Sequence, residues 1–285
     1  MVELDKIIKK IDRLRPVSSI NSKIIEITSN PDSSMSELVD IITYDQAITA
    51  NLLRICNSTY FGLTREITSI RHAVTYLGIS KIVSLVLMET TTDNFKNAQS
   101  GYDLNEGDLW RYSVTSALIA QDLAEQKQHT NIPLIFTSAL LKDIGKVILH
   151  TYVKDSFEVI INMVKKNNLS FIEAEKEIIG IDHAELGARV AQKWNFSPAM
   201  VKIIKNHHNP DRSSTDDIPA SIVYLADSIC MMMGIGIGSD GLAYRHYQEV
   251  MDLLHFTNVD MQKAIANSFE RLKDVETLIS LAGGN

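Results

Sequence analysis

The stretch Leu38-Val39-Asp40-Ile41-Ile42-Thr43-Tyr44-Asp45-Gln46-Ala47-Ile48-Thr49-Ala50-Asn51-Leu52-Leu53-Arg54-Ile55 decides the fold class. Leu38, Ile41 and Ile42, and later Ile48, Leu52 and Ile55, stand three or four residues apart, which lines them along one face of an α-helix. The same spacing recurs almost everywhere in the chain, and strand-type alternation is scarce. Ser34 with Glu37 and Ser170 with Glu173 each fit a capping box, in which side chains satisfy the amide donors that a helix start leaves unpaired. Asn30-Pro31-Asp32 reads as a turn, and Gly78 stands after the run from Ile70 to Leu77, where a left-handed cap is expected. The fold class is therefore all-α.

Between about Asn94 and Asp108 the sequence turns polar and loses its apolar period, as a connection between helical units does. The boundary falls there, giving a helical subdomain over residues 1–100 and a second helical bundle over 101–285. Longer amphipathic runs follow it: Leu109 to Gln126, Leu134 to Tyr152, Ala184 to Trp194, Met200 to His207 and Ala220 to Met233. No repeat of fixed period is evident, which argues against a solenoid.

Composition narrows the function classes. A chain of 285 residues, 45% apolar and 22% charged, can bury a sizeable core. Its formal charge of -7 argues against nucleic acid or an anionic membrane as partner, because both need clustered Lys and Arg. The pairs Lys9-Lys10 and Lys165-Lys166 read as solvated helix faces. Cys56 and Cys230 lie far apart in apolar helical surroundings, as buried reduced thiols rather than a zinc or redox motif. The amino terminus does not read as a secretory signal, and no stretch approaches the about 20 apolar residues of a membrane-spanning helix. The expected compartment is the cytoplasm.

Two further features have ordinary readings. Gly234-Ile-Gly-Ile-Gly-Ser-Asp-Gly241 follows Met231-Met232-Met233 at a helix end rather than a strand, so it reads as a connection and not as a phosphate-cradling loop. Asn57 and Ser58, with Tyr60 and Phe61 behind them, cap and anchor a helix end.

The residues that could carry chemistry in the second bundle are Asp143, His183, His207, His208 and Asp227, each inside or at the edge of an apolar helical run. A divalent cation in a helical bundle needs imidazoles and carboxylates projecting inward from several helices, and it can lower the pKa of a bound water enough for attack on a phosphate ester. Taken singly, each of these residues also reads as a hydrogen-bonded group at a helix end.

At this point the order of residues resembles the HDOD branch of the HD-domain superfamily. Tyr44 to Ser58 is similar to that family's aspartate-led helix ending in Asn-Ser, and Ile67 to Gly78 to its Ile-x-Ser-Ile-x-x-Ala-Val-x-x-Leu-Gly element. The likeness continues through Leu109-Trp110, Leu140 to Lys146, Asp182 to Gly187, Trp194 to Pro198, His207-His208 and Ala226-Asp227. It implies two packed helical subdomains, the second an HD-like bundle, in a bacterial signalling or regulatory module.

Catalytic relatives hold metal with a His on the helix after the linker, a His-Asp pair and a later Asp. The resemblance aligns these with Tyr112, Lys142, Asp143 and Asp227, so two of the four ligands are lost. An ammonium of reference pKa about 10.4 and a phenol of about 10 are not ready ligands for a divalent ion. Lys142 either stands in for the metal's charge beside Asp143 or points to solvent from the helix surface.

The expected function is a non-catalytic regulatory module, a pseudo-enzyme without metal or cofactor, acting through an unidentified protein partner, for which a groove between the bundles offers a place, or through a small ligand. One alternative is a residual phosphohydrolase using His183, His207, His208, Asp143 and Asp227 as a rearranged metal set. Another is a nucleotide receptor without hydrolysis, with the three histidines around a pocket and Lys142 facing phosphate as a point charge.

Overall fold

The computed structural model describes residues 4–11, 23–24, 26–27, 35–44, 46–57, 61, 67–167, 169–211, 217–235 and 247–283. Its helices are α1 (Leu4–Lys10), α2 (Met35–Tyr44), α3 (Gln46–Cys56), α4 (Ile70–Leu77), α5 (Ile79–Phe95), α6 (Asp108–Gln126), α7 (Ile132–Leu141), α8 (Ile144–Asn167), α9 (Phe171–Ile179), α10 (His183–Lys193), α11 (Pro198–Asn206), α12 (Ile218–Met232), α13 (Tyr247–Leu253) and α14 (Asn258–Gly283). Among the described residues there is no strand, and the only extended pairing is an isolated bridge between Gln99 and Leu104. The all-α expectation holds.

The opening stretch folds as its spacing predicts: Leu38, Ile42, Ile48, Leu52 and Ile55 are all buried. Helices α2, α3, α4 and α5 pack on one another as the first group. Gly78, between α4 and α5, has φ +78° and ψ 154°, a positive-φ corner that favours glycine but is not the left-handed cap expected. Asn57 does more than cap. Its amide donates to the Ile67 carbonyl at 2.8 Å and its carbonyl accepts from the Ile67 amide at 2.7 Å, clamping the end of α3 to the entry of α4. The Ser34 box, the turn at residues 30–32, Ser58, Tyr60 and the glycine run beyond Ile235 lie outside the described residues.

The second group is built around α6 and α7, with α12 and α14 packed on α6, and α8 carrying α9 and α10. Ser170 and Glu173 form both halves of the expected capping box at the start of α9. Contacts of α5 with α7 and α8, and of α14 with α3, join the two groups. Cys56 and Cys230 are free and buried. No single helix among the described residues is long and apolar enough to cross a membrane.

The run from Leu134 to Tyr152, expected as one helix, is broken. α7 ends at Leu141, α8 begins at Ile144 and extends to Asn167, and Lys142-Asp143 sits at the junction. The physical reason lies in Gly145 and Gly187. A Cβ on Gly145 would come within 2.0 Å of the His183 carbonyl oxygen, and one on Gly187 within 3.3 Å of the Lys142 carbonyl oxygen. Glycine at both positions lets the start of α8 lie directly on the start of α10, which the chain reaches only by turning at Lys142-Asp143.

The polar linker is also more than a connection. Gly101 has no room for a side chain, since a Cβ there would meet the His150 carbonyl oxygen at 2.0 Å. The short 3-10 turn Ser100–Tyr102 therefore lies flat on α8 and buries Tyr102 completely.

Candidate functional site

The turn between α7 and α8 places Lys142 and Asp143 where four other helices converge. Lys142 is wholly buried. Its ammonium pairs with the Asp143 carboxylate and stands 2.7 Å from Asp227 Oδ1 on α12, 4.4 Å above the Tyr112 ring on α6. The Tyr112 hydroxyl donates to the same Asp227 oxygen at 2.6 Å. Lys146, one turn along the chain on α8, puts Nζ 2.9 Å from Asp143 Oδ1 as an ion pair. All four residues aligned with metal ligands thus meet at one point, with the lysine ammonium between the two carboxylates. The solvent-facing orientation of Lys142 is excluded.

The histidines form the other half of the site. His183, at the start of α10, donates its backbone amide to Glu175 Oε2 at 2.8 Å and sets Nδ1 2.9 Å from the same oxygen. Its Nε2 lies 2.9 Å from His208 Nε2 and 3.6 Å from Asp143 Oδ1. His207, at the end of α11, ties Nδ1 to the Ile204 carbonyl at 2.7 Å and leaves a buried Nε2 without a hydrogen bond, 4.0 Å from Asp143 Oδ1. The His207 and His208 rings are 3.9 Å apart at their centres.

Charge sets the protonation of the cluster. Burial opposes the Lys142 charge, but Asp143 and Asp227 together outweigh it and hold its pKa above the ordinary lysine value. Burial likewise opposes ionisation of Asp143 and Asp227, yet Lys142 draws both below the usual carboxylate range, with Lys146 adding to the effect on Asp143. Burial pushes His207 down to about 4 and His208 well below the ordinary imidazole value. For His183 burial acts the same way, but the Glu175 carboxylate reverses it and raises the pKa. Two ammonium groups and an imidazole that favours its proton therefore face the carboxylates of Asp143, Asp227 and Glu175.

Glu175 and Tyr102 were not among the sequence-predicted residues. Glu175 is wholly buried and also accepts a hydrogen bond from the Tyr102 hydroxyl. A signal for it existed: it lies midway between buried Phe171 and Ile179, four residues from each, so an acid occupies the apolar stripe of α9. Tyr102 carried no comparable signal, being an aromatic residue in a polar stretch.

Two tests bear on a metal. The ligand set implied by catalytic relatives does not fit, because the ammonium of Lys142 occupies the space between Asp143 and Asp227 and would repel a divalent ion. A different grouping remains: Asp143, His183, His207 and His208 offer ligand atoms all within 4.8 Å of one another. His183 and His207 each anchor Nδ1 on an acceptor and turn Nε2 inward, the orientation found in metal-binding imidazoles. An ion there would have to replace the contact between His183 and His208 and share Asp143 with two lysines.

Two packed groups of helices, with a buried cluster of histidines, aspartates and lysines at a helix break in the second, define the class of all-helical protein to which the chain belongs. The HDOD domain model matches residues 14–210, and the chain belongs to that family. An HDOD domain protein of unknown function from Geobacter sulfurreducens is similar in structure, with a TM-score of 0.70 and 22% identity over 99% of this chain and 100% of that one. A structure from Shewanella amazonensis SB2B, provisionally named a phosphohydrolase, has a TM-score of 0.68 and 24% identity over 95% and 97% of the two chains. At these identities the likeness establishes the fold. An uncharacterized protein from Treponema pallidum (strain Nichols) is 25% identical over 209 residues, 70% of this chain and 39% of that protein, so the chain spans about two fifths of the relative's length.

Proposed function

We propose that this HDOD protein is a non-catalytic signal-transduction module that works by binding a protein or small ligand, its former metal site held together by a lysine. The observation that carries the reading is the buried Lys142 ammonium between Asp143 and Asp227, 2.7 Å from the latter. A cation fixed to the chain bridges two buried carboxylates as a metal would, with Lys146 supplying the second positive charge at Asp143, but it has no vacant position for water and no Lewis acidity. The Tyr112 hydroxyl, donating to Asp227 at 2.6 Å, supports the same arrangement from α6.

The alternative is a metal-dependent phosphohydrolase built on Asp143, His183, His207 and His208, favoured by the convergence of their ligand atoms within 4.8 Å. Metal content and turnover separate the two. Purification without added metal, followed by elemental analysis and assays on phosphomonoesters and phosphodiesters, is expected to give neither stoichiometric metal nor activity. Stoichiometric manganese, iron or zinc together with phosphoesterase activity abolished by Asp143→Ala would overturn the non-catalytic reading.

A further inference from the structure

The segment between α5 and α6 closes on itself. The Gly107 amide donates to the Lys96 carbonyl at 2.8 Å, and inside that bond the Gln99 amide donates to the Leu104 carbonyl at 2.9 Å, so residues 96–107 form a loop of the Ω type. Two of its turning points have positive φ, Asp103 at 59° and Gly107 at 85°. Because its ends already lie side by side, the loop can lift as a unit while α5 and α6 keep their packing.

The loop is one chain thick over the histidine cluster. Ser100 and Asp103 are exposed, whereas Gly101 and Tyr102 between them are buried. The Tyr102 hydroxyl donates to Glu175 Oε1, and Glu175 Oε2 accepts from the His183 amide at 2.8 Å. The Tyr102 ring centre lies 5.9 Å from that of Phe171, 6.0 Å from that of His183 and 5.5 Å from Lys146 Nζ. A single side chain of the loop thus walls one side of a cluster in which Asp143, His183 and His207 are all wholly buried.

The hold of the loop on the bundle is light at two further points. At Gly101 it rests on the α8 backbone with no side chain to interlock. Gln99 Oε1 is buried without a hydrogen bond, a cost that water removes when the loop lifts.

We propose that residues 96–107 are a lid over the buried cluster, with Tyr102 as its latch on Glu175, and that lifting it opens Glu175, Lys146 and His183 to solvent and to small molecules. The inference concerns access and goes beyond the choice between a binding module and a hydrolase, since a small molecule needs an entrance in either case.

The test is amide hydrogen exchange on the full-length chain, paired with histidine modification by diethyl pyrocarbonate. The amides of Gln99, Tyr102, Leu104 and Gly107 all donate within the loop. They should exchange together, about tenfold or more faster than amides in the middle of α6 and α8. Tyr102→Phe keeps the ring and removes the latch, so loop exchange should rise about tenfold further while α6 and α8 stay unchanged. Modification of His183, read by peptide mass spectrometry, should rise by the same factor. Gly107→Ala loosens the lid from its end, since nothing lies within 4 Å of the added methyl group but alanine is strained at this φ. It should speed both readouts in the same direction without contact with Glu175, and it decides the matter if Tyr102→Phe does not fold. Loop amides that exchange as slowly as those of α8 would overturn the proposal, because the loop would then open only on unfolding. So would a Tyr102→Phe chain in which α8 and α9 speed up in step with the loop, or a His183 modification rate that stays fixed while the loop opens more often.

Discussion

Lys142 Nζ stands 2.7 Å from Asp227 Oδ1, so one ammonium ties the break between α7 and α8 to the middle of α12. The contact is wholly buried, and each ion has lost most of its hydration to make it. Such a pair adds little net stability over apolar packing, yet removing one partner alone leaves the other as an uncompensated buried charge.

Lys142→Met is therefore expected to destabilise the protein by about 3–5 kcal/mol, read as a lower urea midpoint. Lys146 remains to hold Asp143, but Asp227 keeps only the Tyr112 hydroxyl among the partners named above. Adding Asp227→Leu to Lys142→Met should recover part of the loss, because both charges are then gone. A single variant as stable as wild type would show that the lysine does not carry the site's charge balance.

Stability should fall as the pH is lowered from about 6.5 to 4. His207 is pushed down to about 4 from 6.5 by burial, so in this window the unfolded chain binds a proton that the folded chain refuses. Unfolding is then favoured by up to about 3 kcal/mol at the acid end. His208 is lowered well below 6.5 and acts in the same direction. His183, with a raised pKa, acts above this window: it adds stability as pH falls toward 6.5, and that gain is complete below it. Between pH 6.5 and 4 His207 and His208 therefore set the slope, which is downward on acidification. Asp143 and Asp227, both lowered, add a further loss only as pH falls below the ordinary aspartate value of 3.8. Urea titrations at a series of pH values should show this slope, and His207→Gln should flatten it.

The sequence and the structure part company where backbone meets backbone. The apolar periodicity of residues 38–55 reported helices directly, because burial on one face leaves a repeat in the sequence. Asp143, His183, His207, His208 and Asp227 stood out as polar residues in apolar runs, and Glu175 could have been found by the same test. The break at Lys142-Asp143 could not. Leu134 to Tyr152 has an unbroken apolar pattern, and the turn follows from a contact of Gly145 with His183, some forty residues further along. Tyr102 was hidden for a similar reason, since its burial depends on Gly101 lying against His150.

Gly145→Ala tests that contact. Alanine is preferred over glycine inside a helix by about 1 kcal/mol, so α8 alone would gain from the change. The new methyl group would, however, lie 2.0 Å from a backbone oxygen of His183, which cannot rotate away. The clash wins, and a net loss of about 1–3 kcal/mol is expected from overpacking. α10 should shift from α8 and carry His183 away from Asp143, seen as altered histidine ring resonances in proton–carbon correlation spectra. An unchanged stability and an unchanged His183 signal would mean that the two helices do not meet so closely.

The double variant Tyr112→His with Lys142→His asks whether these two residues keep a divalent ion from settling between Asp143 and Asp227. Asp143 and Asp227 are already oriented toward a shared position, each held there by a bond to Lys142. Exchanging the ammonium for a neutral imidazole removes the repulsion of a divalent ion, and the second imidazole replaces a phenol whose oxygen already lies 2.6 Å from Asp227. Two imidazoles and two carboxylates from α6, the α7–α8 turn and α12 then form a donor set of the kind that manganese, iron or zinc accepts. Stoichiometric metal in the folded double variant is expected, with a rise in melting temperature on metal addition that wild type does not show. Each single variant should bind more weakly, because Lys142 alone repels the ion and Tyr112 alone leaves a ligand short. A folded double variant that takes up no metal would mean that the helices have closed around the lysine beyond what its replacement can reverse.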